Sequence, residues 1–217
     1  MKKQNQKNFY RGAYFLIAFI LWTVLLRFVD VKQIGPQNSK VGLATINQFV
    51  HNLTGTNMTL YNITDWLGLA SIFFAMGFGV LGLLQWIKRK SLKKVDYSIL
   101  VLGGFYIVVM AVYILFEYVV INYRPTLING ILEVSYPSST TLLVMCVMPT
   151  AIMQLKDRLK NSVFKKCLVT IIILFIIFMV AGRIISGVHW ITDIIGGVLL
   201  SIGLVTIYQA VVNLKKN

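Results

Sequence analysis

His189 and Asp193 stand four residues apart in the stretch GRIISGVHWITD (182–193), which also holds Arg183 and lies between two long apolar runs. On a helix that spacing sets the imidazole and the carboxylate on one face, one turn apart. A carboxylate that takes the proton of one ring nitrogen fixes the tautomer and leaves the other nitrogen free to act as nucleophile or base. An aspartate at membrane depth costs about 2.5–3.5 kcal/mol on insertion scales, so it needs a partner. His189 is the nearest one in the chain. The pair alone equally fits an interfacial histidine beside a hydrated aspartate, and Arg183 alone fits an arginine reaching from a span end to water.

Other polar residues join these. Arg124 precedes Pro125, and YPSSTT (136–141) opens an apolar run with Ser138, Ser139 and Thr140 after a proline. A helix start offers unpaired N–H groups and suits an anion. The planar fork of arginine binds two phosphate oxygens at once. Two arginines, a hydroxyl-rich helix start and a histidine describe a phosphate site, provided the fold brings them to one place.

The elements that must do so are membrane spans. Of 217 residues, 57% are hydrophobic and 13% charged, and the mean hydropathy is +0.76. Apolar runs of about 20 residues, enough to cross a bilayer core, recur along the chain. The sequence predicts an all-α, polytopic membrane protein forming one domain over 1–217. Six transmembrane helices are expected at about 12–29, 66–87, 98–122, 139–155, 167–186 and 190–213. A long outer loop joins the first two, and within it 41–53 has the apolar spacing of a surface helix. The first run is too long for a signal peptide and has no cleavage site, so it is expected to be a retained span.

Sixteen of the 21 cationic residues fall on one side of this scheme: Lys2, Lys3, Lys7 and Arg11, then 88–94, 156–166, Lys215 and Lys216. Cationic loops stay in the cytoplasm. Both termini are therefore expected inside, and Arg124, Ser138–Thr140, Arg183, His189 and Asp193 on the outer face. The net charge of +14 then reflects topology and contact with anionic lipid headgroups, not nucleic acid. Cys146 and Cys167 are expected as small buried hydrophobes, with no metal or disulfide pattern. Trp86 and Trp190 are expected as interfacial anchors, and Gly103, Gly104, Gly196 and Gly197 as sites of close helix packing.

In order, YRP (123–125), PSST (137–140) and GRIISGVHWITD (182–193) resemble the three motifs of the type-2 phosphatidic acid phosphatase (PAP2) family, K-x6-R-P, P-S-G-H and S-R-x5-H-x3-D. The resemblance covers roughly 60–213. It implies a six-span integral membrane phosphatase acting on lipid phosphates or diphosphates through a phosphohistidine intermediate. His189 would be the nucleophile and Asp193 would orient it. Arg124, Arg183, Ser138, Ser139 and Thr140 would bind phosphate. No metal and no cofactor are implied.

The first and second motifs are degenerate. Glu117 stands at the first-motif lysine position, Gly182 at the third-motif serine, and Thr140 at the second-motif histidine, the family's general acid. General acid catalysis is worth about 10²–10⁴ in rate. Three explanations stay open: a lipid diphosphate whose leaving group needs little protonation, a substitute acid (Glu117 or His51), or a protein that only binds lipid phosphate. Glu117 can also be read as an ion-pair partner of Arg124 or Arg183. A lipid phosphatase at the outer face of a bacterial cell membrane, serving polyprenyl diphosphate recycling, is the leading expectation. A lipid-phosphate binding or transport protein and a lipid phosphotransferase are the alternatives. A transporter would carry polar residues deep in several spans, and these spans are clean apart from their outer ends. The sequence does not specify the lipid tail, the physiological substrate or the oligomeric state.

Overall fold

The computed structural model describes residues 2–215; Lys216, counted above with the cationic side, lies outside them. Seven helices follow in order: α1 (Lys2–Phe28), α2 (Ala44–Thr54), α3 (Met58–Arg89), α4 (Tyr97–Tyr118), α5 (Ser139–Arg158), α6 (Ser162–Ile185) and α7 (Ile191–Leu214). All except α2 are long and apolar enough to cross a membrane, so the chain is a six-span membrane protein. Their outward faces are greasy. Ile107 is 72% exposed, a burial pattern that makes sense only in lipid.

α5 and α7 form the centre. Their most apolar windows are 56% and 50% buried inside the protein, against 11–22% for the other spans. Both begin at the same end of the bundle, where Ser139 opens α5 and Ile191 opens α7. Two central helices thus aim their N-terminal N–H groups and positive dipole ends at one region. The loops 88–94 and 156–166 lie at the opposite end by the alternation of the spans.

Several expected ends shift. The second span begins at Met58, eight residues before the expected 66, because Asn57 caps it by accepting from the Leu60 N–H at 2.9 Å. The polar stretch YNITD (61–65) hides this turn from an apolar count. The third span stops at Tyr118 instead of about 122, since Asn122 leaves the helix to bind the Gly42 N–H and the Asp193 carboxylate. Between 119 and 138 the chain folds back, with isolated bridges Tyr123↔Val134 and Ile128↔Ile131 flanking Asn129–Gly130, both at positive φ. Asn-Gly favours just such a tight reversal.

Three smaller expectations fail. Trp190 is buried, and its indole donates to the Tyr123 carbonyl at 2.7 Å instead of anchoring at the interface. Cys167 is exposed on the bundle surface, whereas Cys146 is buried. Gly103 and Gly104 meet no neighbouring element, while Gly196 and Gly197 do pack closely, against Tyr136 and the start of α5.

Candidate active site

His189 is not on a helix with Asp193. It sits in the loop SGVHW (186–190), and α7 starts at Ile191. The four-residue spacing works through a helix cap instead. Asp193 is the third helical residue, and its Oδ2 accepts from the Trp190 N–H at 3.1 Å. This cap folds the loop back, bringing His189 Nδ1 to 3.8 Å from Asp193 Oδ2. Asn122 donates to Oδ1 at 3.1 Å, so the fully buried carboxylate has two donors before the histidine is counted. Gly187 makes the loop possible. It adopts φ +62° and approaches Gly55 so closely that no Cβ fits.

The other ring nitrogen decides the chemistry. Arg124 Nη1 lies 2.9 Å from His189 Nε2. Guanidinium has only donors, so Nε2 must be the acceptor, with its lone pair exposed to the arginine. The ring proton then sits on Nδ1, facing Asp193. Burial first, and then the charges of Arg124 and Arg183, hold His189 well below the ordinary histidine pKa. A neutral imidazole is the nucleophilic form once Arg124 releases the Nε2 lone pair.

The two arginines bracket Tyr61. Their guanidinium carbons lie 5.5 Å (Arg124) and 4.8 Å (Arg183) from its ring centroid. Neither arginine pairs with Glu117 as the sequence suggested. Arg124 Nε lies 3.0 Å from Glu133 on the returning arm of the 119–138 segment, and Arg183 Nη2 donates to Asp65 at 2.7 Å. Arg183 also donates to the Thr140 hydroxyl. Gly182, where the family pattern has serine, faces α3, and a Cβ there would lie 2.7 Å from Thr64. The glycine lets α6 press against α3 and delivers Arg183 to Asp65.

The second-motif residues divide. The Ser138 N–H donates to the Asp193 carbonyl at 3.1 Å, and its hydroxyl accepts from Thr141, so Ser138 ties α5 to α7. Ser139 lines a cavity of ≈ 410 Å³ together with Arg124, His189, Glu117 and Glu133. It also lines a neighbouring cleft of ≈ 440 Å³, which continues past Asp65 and Thr140 to Gly68, Ile72, Met110 and Val147. His51 stands apart from both, packed edge-on against Trp190. Among buried polar atoms, Arg183 Nε and His189 Nδ1 make no hydrogen bond within the protein, and Arg124 Nε has only its ion pair with Glu133.

Arg124, with Arg183 beyond Tyr61, the His189 ring beside Asp193 and the start of α5 thus stand close together at one end of the bundle. Residues 117–216 match the sequence model of the PAP2 superfamily. That stretch, just under half of the chain, is similar to the PAP2 superfamily. The matched region begins at Glu117 and contains every motif residue named above. Across nearly the whole chain the fold is similar to a crystal structure described as the first transmembrane PAP2-type phosphatidylglycerolphosphate phosphatase from Bacillus subtilis. The TM-score is 0.60 at 18% identity, covering 95% of this chain and 97% of that one. At that identity the likeness concerns the fold. No curated protein matches the chain significantly.

Tyr61, Asp65, Asn122 and Glu133 escaped the sequence reading. For Glu133 a signal existed: the Asn129–Gly130 turn folds the 119–138 segment back on itself. For Tyr61 and Asp65 the only signal was the Asn57 cap, which moves the helix start ahead of them.

Proposed function

We propose that the protein is a phosphatase acting on a lipid phosphate or diphosphate at the outer membrane face. The observation that carries this is the 2.9 Å contact between Arg124 Nη1 and His189 Nε2, which leaves a neutral ring with its nucleophilic nitrogen beside Arg124 at the cavity. As substrate binds, Arg124 exchanges the ring nitrogen for a phosphoryl oxygen. Nε2 attacks phosphorus, the Nε2–P bond forms, and the bond to the leaving oxygen breaks. The Nδ1–H faces Asp193, whose charge stabilises the cationic ring that results. Water then cleaves the phosphohistidine to release phosphate.

Thr140 takes no part as an acid; its hydroxyl is engaged by Arg183. Of the substitute acids, only Glu117 lines the cavity. The geometry therefore favours a leaving group that needs little protonation, as a lipid diphosphate provides. The adjoining apolar cleft supports a lipid tail. The outer-face assignment rests on the basic loops at the opposite end.

Phosphate release by the purified protein, comparing a polyprenyl diphosphate with a lipid monophosphate, with and without chelator, tests this reading. Turnover of the diphosphate in chelator is expected. Binding of both lipids without release would replace the phosphatase by a lipid-phosphate binding protein. Ile131→Cys is expected to label from outside intact cells, and Lys93→Cys only after permeabilisation; the reverse pattern overturns the outer-face assignment.

A further inference from the structure

The cavity that holds Arg124 and His189 is an odd place for a bare phosphate. Its charged lining is one arginine and two carboxylates, Glu117 and Glu133, since His189 is neutral. A phosphate dianion facing two carboxylates is repelled by both. Yet the anion-binding half is present: Arg124 and His189 are only 7% and 4% exposed and lie side by side on the cavity, and the one carboxylate paired with Arg124 is Glu133. No ion pair reaches Glu117 among the described residues; its neighbour is the Tyr113 hydroxyl. Tyr113 and Phe116 supply aromatic rings to the same cavity.

We infer that the site takes a zwitterionic head group: a lipid phosphate that also carries an ammonium within a few bonds of phosphorus. This rests on the phosphate reading of the cavity. The Arg124–Glu133 pair, 3.0 Å apart, is a template for such a group. When the lipid enters, its phosphoryl oxygens replace Glu133 on Arg124. Its ammonium replaces Arg124 beside Glu133 and is held by Glu117 and the rings of Tyr113 and Phe116. Glu117 then faces the ammonium across the cavity.

An organic cation fits better than a divalent metal. A metal of that kind asks for about six oxygen ligands, and no group of three acidic or histidine side chains positioned for one exists among the described residues. Aromatic faces reward an alkylammonium instead.

The test is equilibrium binding to the His189→Gln protein in nanodiscs of neutral lipid, where no phosphohistidine forms and turnover does not blur affinity. The probes are a 2-aminoalkyl phosphate and its N-acetyl counterpart, which differ only in the ammonium charge. The ammonium lipid is expected to bind about tenfold more tightly. In E117Q/E133Q that preference is expected to fall to near unity while the N-acetyl lipid binds at least as well as before. Equal affinities, or a preference that survives both substitutions, overturn the inference and leave the phosphate reading standing. Loss of both lipids' binding, with a folded protein by circular dichroism, overturns the two together. If magnesium tightens the N-acetyl lipid and E117Q removes that effect, with no ammonium preference, the cation is a metal and the inference is wrong.

Discussion

Asp96 and Asp193 stand at opposite ends of the bundle, each at the start of a spanning helix, and their surroundings differ in kind. Asp96 accepts from Gln85 at 2.9 Å, Arg89 at 2.9 Å and Arg158 at 3.0 Å, and its own N–H donates to Gln85. Burial pushes its carboxyl up, but the Arg89, Arg158 and Gln85 contacts outweigh that and hold it below its ordinary pKa. The network ties α3, α4 and α5 together. Asp193 is buried completely and touches no arginine; it meets Asn122, the Trp190 N–H and the His189 ring edge. Nearby, Arg183 Nε and His189 Nδ1 make no hydrogen bond, and Arg124 Nε has only its ion pair with Glu133. A closed network holds helices in place. An open one, at higher desolvation cost, keeps donors ready for a ligand.

The largest effect expected from breaking this contrast is at His189. His189→Ala removes the nucleophile, and phosphate release is expected to fall by about 10⁴-fold or more with the fold intact. Arg124→Lys keeps the charge but loses the fork that faces both the ring and the phosphoryl group. A loss of about 10²–10³ in kcat is expected, read in a steady-state phosphate assay. The pH profile sharpens the point. Folded His189 resists protonation, so the acid limb of kcat/KM is expected well below pH 6.5. Unfolded histidine binds its proton near pH 6.5. The unfolded chain thus takes up more protons in that window, and stability should fall as pH drops below 6.5. A thermal melt that is flat between pH 6.5 and 5 would contradict the buried neutral ring.

Thr140→His is expected to act by a smaller factor, about 10–10² on a monophosphate relative to a diphosphate. A restored acid helps an alkoxide more than an already acidic phosphate. Equal gains on both substrates would mean the leaving group does not explain the missing histidine. The smallest effect belongs to the other end. Asp96→Asn should cost about 1 kcal/mol of stability, because its ion pairs are partly exposed, and should leave kcat unchanged. A fall in kcat would mean that the closed network is coupled to the site.

Much of this was legible residue by residue. Arg124, Arg183, His189 and Asp193 do converge, and Ser139 lines the cavity with them, as their types and the alternation of spans suggested. Ser138 is also tied to the protein: its N–H donates to the Asp193 carbonyl and its hydroxyl accepts from Thr141. The ion-pair partners were misread. Glu117 shares the cavity, but Glu133 and Asp65 take the arginines.

The sequence by itself determined the six spans, through runs of apolar side chains whose length the bilayer sets. It also determined which loops share an end, through alternation along the chain, and the order of the motif residues. These are local or one-dimensional properties. Only the tertiary structure decided which carboxylate meets which arginine, that Asp193 reaches His189 through a helix cap, and which ring nitrogen faces the cavity. Each depends on the rotation and tilt of helices and on loop reversals that bring together residues as distant as Asp65 and Arg183. Such contacts are fixed to within an ångström by packing, where Gly182 against Thr64 and Gly187 against Gly55 set the approach.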